Sequence, residues 1–470
     1  MSFYISAKQL MPEQNSRKID LFILTGFVYL FLPFVFFLAY LEPLLLSLLI
    51  PMTWIGIIFS RSDIEGFKLD KISITQRWLI IFSILVFVLL GGFPQLIGFE
   101  QLFDWQKHNT ILTDLISNSW PVAYTDGSFL NYYLGIYFIP AFFGKIFGGF
   151  AIGKVFLSIW ILIGYIVSVQ LIYNYLFKVM KDSRFVIFGL ILLLLISGLD
   201  WLQYYINNGY LPRTAEHIEW SYRIFMDGLY KGFFQYSSIV TLITHVPQHL
   251  YPALIGICLT LLTKRYSIFL IPVLFIWSPF SAIGVGLAIL LVIRKDILRF
   301  DYLFFSLLLI VPVVFFYLHH NHIDNRIIVT TNFSRYLIFL ALELFPIITL
   351  TIMSWSSLKK TEKVIQTICC ILLCIFPLFR YGNVSANDVL IRSAFPVFFL
   401  ATLIPLAYIN KYPFKKIAIV IIVWSLGLAT PIFEFLRIQP GRGYQEPMDS
   451  ILEIRGGKAV HDQYLGRPWR

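Results

Sequence analysis

Apolar runs recur along the whole chain, each bounded by a short polar or charged segment. A run of about 18 or more apolar residues with few charges reads as a membrane-crossing helix. The pattern predicts spans over residues 20–41, 43–60, 77–98, 129–148, 152–177, 185–201, 241–263, 267–293, 302–318, 335–355, 364–380, 389–409 and 415–435. The 267–293 stretch contains Trp277, Ser278 and Pro279, which reads as a broken or re-entrant helix. Such a break is tolerated in lipid only where protein or water satisfies the freed backbone groups. No 20–50-residue period repeats. The expected fold is all-α: a polytopic transmembrane bundle of about 11–13 spans in one integral membrane domain, residues 1–470, with outward loops that carry short surface helices. Two polar stretches interrupt it, 99–128 and 201–240, and a short polar tail follows at 436–470.

Composition supports this reading. Of 470 residues, 58% are hydrophobic and 13% charged, where a soluble domain carries about a quarter charged residues; mean hydropathy is +0.77. The net charge of +11 fits an excess of Lys and Arg in cytoplasmic loops. No basic stretch is interleaved with exposed aromatics, so nucleic acid is not an expected partner. Lys264 and Arg265, Arg294 to Arg299, Lys359 to Lys363 and Lys411 to Lys416 read as cytoplasmic, which turns 319–334, 381–388 and the tail after Glu434 outward. Arg61 to Arg77 reads as inside and puts 99–128 outside. Lys178, Lys181 and Arg184 put 201–240 outside as well, whereas two full spans over 129–177 give the opposite; either one of them is re-entrant or the charge rule fails there. The first run begins near Asp20, behind Lys8, Arg17 and Lys18. It is too long for a signal-peptide core and has no small-residue cleavage site, so it reads as a retained span with a cytoplasmic N-terminus. Cys258, Cys369, Cys370 and Cys374 all fall in apolar runs, as small buried hydrophobes do. No disulfide framework or metal spacing emerges. No cofactor is called for, a divalent ion remaining open.

Three places carry candidate chemistry. The first is FDWQKHNTILTDLISNSWPVAYTDG. Plotted as a helix over 104–117, it places Gln106, Lys107, Asn109, Thr110, Thr113, Asp114 and Ser117 on one arc. Trp105, Ile111, Leu112, Leu115 and Ile116 fall on the other, together with Asp104 and His108 one turn apart. The expected pose lies along the membrane surface, apolar face down. Asp104 and His108 then point toward protein or bilayer, where charge is costly unless paired or used; otherwise Asp104 stabilises a helix start. Asp126 precedes the next apolar run and reads as an N-cap, with substrate binding as the functional alternative. The second place joins AEHIEWSYR to FFQYSSIVTLITHVPQHLYPAL. Glu216 and Glu219 suit acid–base work or a solvated loop, and Tyr236, His245, Gln248 and His249 suit either sugar binding or a packed helix entry. His245 and His249 have zinc-like spacing, but the Glu of HExxH is missing and Pro247 intervenes. The third is FRYGNVSANDVLIRSAFP, where Arg380, Asn387, Asp388 and Arg392 cluster at the ends of two spans. Arg392 lies about a turn into an apolar run, a functional hypothesis by default, and Arg binds phosphate bidentately. An Asp388–Arg392 pair at i,i+4 is the other reading. His319, His320 and His322 form an interfacial loop without an assigned role.

As a set, DWxxH at Asp104–His108, DGxxLxYYLG from Asp126, HIEW, QYSS, VPQH, WSPF and NDxxxR ending at Arg392 resemble a group of uncharacterised bacterial polytopic membrane proteins. Their architecture is similar to the GT-C membrane glycosyltransferases. The resemblance covers about residues 99–400. It implies a polyprenyl-phosphate-linked sugar donor, a glycan or lipid acceptor in the cell envelope, membrane lipid around both, and a multi-pass location in the cell inner membrane. It also implies an inverting transfer with Asp104 as catalytic base and His108 beside it. An acidic doublet and a WWDYG-like motif are missing, and extra N-terminal spans are present. The rival reading is a transporter or flippase for a lipid-linked or amphiphilic solute, whose path the intramembrane Arg and His would mark.

The charge pattern yields a direct topological prediction. In a background lacking the four native cysteines, single cysteines in 99–128 and in 381–388 should both be labelled by an impermeant thiol reagent on intact cells. Labelling of either loop only after permeabilisation would separate the two onto opposite faces.

Overall fold

The computed structural model describes residues 18–42, 68–69, 71–89, 104–213, 218–220, 224–226, 229–231, 234–264, 267–293, 300–320, 327–329, 333–381, 389–438, 445–453 and 464–467. These are overwhelmingly helical, and the strands are two- or three-residue ribbons. Five helices are long and apolar enough to cross a membrane: Leu21–Leu41, Phe150–Met180, Lys360–Leu378, Ile391–Lys411 and Phe414–Arg437. The pair Phe333–Glu343 and Phe345–Ser354, bent by 53°, adds a sixth if it is one span. The chain is therefore a helical membrane protein. Other expected spans take the form of shorter apolar helices such as Gly135–Phe147 and Ser183–Leu194. The expected span 43–60 lies outside the described residues.

Helix length bears on the conflict over 129–177. Gly135–Phe147 has 13 residues, about 20 Å at 1.5 Å per residue, against roughly 30 Å of hydrocarbon. Phe150–Met180, with 31 residues, has ample length, and only it of the two can cross alone. Gly148 and Gly149, at φ 126° and 89°, turn the chain between them in a backbone region that side chains disfavour.

Aromatics and close glycine contacts hold the core together. Tyr29 stacks between Trp160 and Trp277, with ring centroids 4.4 and 5.1 Å away. Gly164 makes room for it, since a Cβ there would lie 2.3 Å from the Tyr29 hydroxyl. The Trp277 indole donates to the Leu30 carbonyl at 3.1 Å. In lipid, where chains gain little by hiding apolar surface, such packing and interhelical hydrogen bonds are what bind helices together.

The expected break in 267–293 is present. Helix Leu270–Trp277 stops, Ser278 is extended, and Pro279 starts helix Pro279–Ile293, with the proline at the first helical position, where its missing N–H costs nothing. A second break at Val246 divides Ile239–His245 from Pro247–Thr263. A third interruption is a π-helical turn, Val389–Ser393, which leads into Ala394–Leu406. Against this turn lies Gly284, where a Cβ would come 2.2 Å from the Ser393 carbonyl oxygen and 2.8 Å from Pro396 Cγ. Ribbon pairing sets Ile327–Val329 against Phe379–Tyr381, next to the two segments, 319–334 and 381–388, that charge assigns to one side.

Gly284→Ala should therefore cost about 1–3 kcal/mol by overpacking, read as a lower Tm in detergent. Gly286→Ala is the control: its Cβ would meet only Ile271 Cδ1, at 3.9 Å. Equal Tm values for the two variants would mean that the π-turn does not rest on Gly284.

Candidate functional site

The motifs noted in the sequence meet in pairs. Helix Asp104–Ser117 has the boundaries expected from its periodicity. The Trp105 indole donates to the Thr244 carbonyl at 3.1 Å, joining DWxxH to the segment before VPQH. His108 is buried, hydrogen-bonds the Tyr137 hydroxyl through Nδ1, and packs its ring 5.1 Å from that of Trp105. Asp104 opens the same helix one turn earlier; its side chain lies outside the described part.

Arg392 comes from the π-helical turn. Its Nη1 donates to the Tyr133 hydroxyl at 2.5 Å, and its Cζ lies 5.7 Å from the Tyr133 ring centre. Single π-turns inside helices often mark functional sites, because they aim a side chain that a regular helix would place elsewhere. Tyr133 also meets the His249 ring edge-on at 5.0 Å. His249 Nδ1 hydrogen-bonds Ser278 Oγ at 2.6 Å, joining VPQH to WSPF. His249 Nε2 is buried without a partner. Tyr132 packs against Tyr133 at 3.7 Å and against Tyr464 of the tail at 4.8 Å. An arginine, two histidines and several tyrosines are thus gathered from four separated stretches of sequence. A guanidinium presents N–H donors in a planar fork suited to phosphate or carboxylate oxygens, and phenol and imidazole can donate to or accept from a bound hydroxyl.

A second polar cluster borders the first across Thr244 and His245. Glu219, buried, accepts from Ser238 N at 2.9 Å and Thr241 Oγ1 at 2.6 Å through Oε1, and from Gln235 Nε2 at 3.0 Å through Oε2. HIEW and QYSS are joined in this way. Arg437 donates to Glu434 Oε2 from Nη2 at 2.6 Å and from Nε at 3.1 Å, and its Nη2 also reaches His245 Nε2. Asp200 Oδ2 accepts from Ser197 Oγ at 2.9 Å and Thr430 Oγ1 at 2.7 Å. Burial, with Glu434 and Asp200 adding like charge nearby, pushes the Glu219 carboxyl well above the usual carboxylate range. Among the described residues, no three His, Cys, Asp or Glu side chains group so as to hold a metal ion.

The remaining candidates stand apart. Asp126 is exposed and closes a turn, its Oδ1 accepting from Ser128 N at 2.9 Å and Oγ at 2.6 Å; it caps no span, because the helix begins at Gly135. Tyr236 is buried, and its hydroxyl donates to the Leu373 carbonyl, an anchor between helices. Gln248 is buried with Oε1 unpartnered. Glu216, His322, Asn387 and Asp388 lie outside the described residues, as does the Arg380 side chain. Tyr133, Tyr137, Asp200, Glu343, Glu434 and Arg437 had not been singled out. Of these, Glu343 and Glu434 were visible as charges inside apolar runs, the same signal that pointed to Arg392.

The expected pose of helix 104–117 needs correction. It does not lie with a polar face in water, because Asn109, Thr110 and Asp114 are buried along with the apolar arc. Tail segment 445–453 covers them. Asn109 Nδ2 donates to the Gln445 carbonyl at 2.6 Å, Met448 N to Thr110 Oγ1 at 3.0 Å, and Ile451 N to Asp114 Oδ2 at 3.2 Å. The polar arc was read correctly as polar, but its hydrogen-bonding groups face the chain's own tail rather than water.

Burial lifts Asp114 from 3.8 to about 6, against the lowering effect of hydrogen bonds from Tyr124 and Ile451, with Glu453 nearby raising it further. The folded protein then binds a proton between about pH 4 and pH 6 that the unfolded chain has released, so stability should fall as pH rises through that window. The two-unit shift bounds the effect at about 3 kcal/mol. Asp114→Asn keeps an acceptor and removes the titration, so its Tm against pH should be flatter there than the wild type's; parallel curves would rule Asp114 out as the source. No family model, curated protein or solved structure matches the chain.

Proposed function

We propose that this chain is a membrane glycosyltransferase of the GT-C kind. It would transfer a sugar from a polyprenyl-phosphate-linked donor to a cell-envelope glycan or lipid acceptor at the outer face of the inner membrane. The observation that carries this reading is Arg392, a guanidinium set by a π-turn at the entry of an apolar helix and held on Tyr133 beside His249. A cation in that position is costly unless it is paired or used, and a lipid phosphate leaving the sugar is a use that needs both the membrane and the charge. In the proposed reaction Arg392 stabilises the departing phosphate as negative charge develops. Asp104, one turn before His108 on the helix that Trp105 fastens to Thr244, takes the proton of the acceptor hydroxyl. His108 and Tyr137 order that hydroxyl through their shared hydrogen bond. One base acting on the face opposite the leaving phosphate gives inversion at the anomeric carbon.

The buried carboxylates around Glu219 favour a second reading, transport of a lipid-linked or amphiphilic solute, since intramembrane acids often mark such paths. The two readings differ in covalent chemistry. With purified protein, a radiolabelled polyprenyl-phosphate sugar should give labelled product only if the chain is a transferase. Asp104→Asn should lower turnover by roughly 10²-fold or more while Tm stays near wild type. Arg392→Lys should weaken binding of polyprenyl phosphate, because the charge survives and the fork does not. Near-wild-type transfer by Asp104→Asn would remove it as base, and Glu216 and Glu219 would then be tested in its place. Unchanged polyprenyl-phosphate affinity in a folded Arg392→Ala variant would remove Arg392 from the donor site.

A further inference from the structure

Three helices leave a cleft in the side of the bundle. Ile74–Leu89 and Ser183–Leu194 both pack on Phe150–Met180, and an apolar cavity of about 260 Å³ is lined by all three. Phe82, Ile187 and Ile191, at its mouth, are exposed, which for an apolar side chain on a membrane helix means contact with lipid. Ile239 and Leu250, at its depth, are buried. Leu250 follows His249, so the cleft runs from the bilayer to the helix that carries the candidate site.

Apolar cavities stay dry, because an ordered water needs two to four polar partners. The polar side-chain atoms among the lining residues are the hydroxyls of Ser83, Ser168 and Tyr165, and that of Ser168 is already on the Gly164 carbonyl at 2.7 Å. Hydrocarbon fits instead. The lining extends from Ile187 to Leu194 on one helix and from Tyr165 to Ile172 on another, in each case about 11 Å along the axis. One leaflet supplies half of a hydrocarbon core about 30 Å thick, so the cleft takes most of one chain from one leaflet. Tyr165 is the midpoint of Phe150–Met180, and the cleft runs from there toward the Met180 end, which positive charge assigns to the cytoplasm.

That end is rimmed with cations. Gln76 Nε2 donates to Asn174 Oδ1 at 3.1 Å, which brings Arg77 to the level of Lys178, one turn past Asn174. Asn410 Nδ2 donates to the Met180 carbonyl at 3.0 Å and brings Lys411 to the same end. Arg77, Lys178, Lys181, Arg184 and Lys411 are all exposed. Arg184, one turn before Ile187 at the mouth, pairs with Asp182 at 3.0 Å, an exposed pair of the kind that contributes little. Residues 61–71 leave the balance unchanged, with Arg61, Lys68 and Lys71 against Asp63, Glu65 and Asp70. Basic residues between membrane helices on the cytoplasmic side hold anionic headgroups. We propose that this cleft binds an anionic phospholipid of the cytoplasmic leaflet, one acyl chain lying between Ile74–Leu89 and Ser183–Leu194 and the phosphate resting on the basic rim. The proposal holds whether the chain transfers a sugar or moves a solute, and its test needs neither activity.

The test is photolabelling of the purified full-length protein with phosphatidylglycerol that carries a diazirine in one acyl chain, the labelled peptides being mapped by mass spectrometry. Label should fall on Leu79–Ser83 and Ile187–Leu194, and unlabelled phosphatidylglycerol should compete for it where phosphatidylcholine of the same chain length does not. Ser83→Phe fills the cleft and should remove the label. Lys178→Gln changes an exposed side chain away from the packing, so it folds whatever Ser83→Phe does, and losing one cation at the membrane surface should weaken competition by phosphatidylglycerol about fivefold. The proposal is overturned if phosphatidylcholine competes equally, if Lys178→Gln leaves competition unchanged, if polyprenyl phosphate displaces the label as well as phosphatidylglycerol does, which would make the cleft a donor-tail site, or if the label avoids both peptides, as it would were residues 43–60 of the chain to cover the mouth.

Discussion

A helix that breaks within an apolar bundle exposes backbone N–H and carbonyl groups that only protein or trapped water can satisfy. That constraint organises this molecule. At Ser278 the break is met by a side chain: Ser278 Oγ takes the Ser281 N–H at 3.1 Å and bonds His249, while Ser281 Oγ returns to the His249 carbonyl at 3.1 Å. At Val246 the following helix starts on Pro247, which needs no partner for a missing N–H. At the π-turn, Gly284 lets a neighbouring helix come against the Ser393 carbonyl. Two of these interruptions feed the candidate site directly: the Ser278 break holds His249, and the π-turn carries Arg392.

The two polar clusters share a wall. Thr244 accepts the Trp105 indole, and His245, the next residue, meets Arg437. One short helix, Ile239–His245, thus carries contacts to the Arg392 side and, through Thr241, to Glu219. Its opposite face lines an apolar cavity of about 260 Å³ with Ile239 and Ile243, so a seven-residue element separates charge from hydrocarbon. Such an element can be stable only if its backbone ends are capped. Ser238 Oγ accepts from Thr241 N at 3.2 Å at one end, and Pro247 begins the next helix at the other.

Much of the bundle could be read from the sequence because lipid imposes a simple rule, long apolar runs become helices, and Trp277–Pro279 marked a break by its residue types alone. The 104–117 helix was legible to the residue from its 3.6-residue period. What it packs against was not, since a polar arc meets water and a hydrogen-bonding tail equally well. The pairing of motifs was hidden for a related reason. That His249 meets Ser278 and Arg392 meets Tyr133 is a matter of tertiary packing between segments 29 and 259 residues apart. Arg392 was found because charge in an apolar run is rare. Glu343 and Glu434 carry the same signal, inside the runs 335–355 and 415–435, but were not singled out. Asp200 and Tyr133, at run ends where polar residues are common, gave no signal.

The fastening of the tail onto helix 104–117 also constrains how the chain can thread the bilayer. Residues 445–453 bond that helix, and Leu465 and Gly466 pair with Leu130 and Phe129. Segments in direct contact share a side of the membrane, so the number of crossings between residues 131 and 445 must be even, whatever each helix between them does. Parity of this kind survives any error in counting individual spans. It also sets an order of assembly: residues 445–453 and 465–466 complete the hydrogen bonds of a loop made more than three hundred residues earlier, so this face of the protein closes only after they have been synthesised.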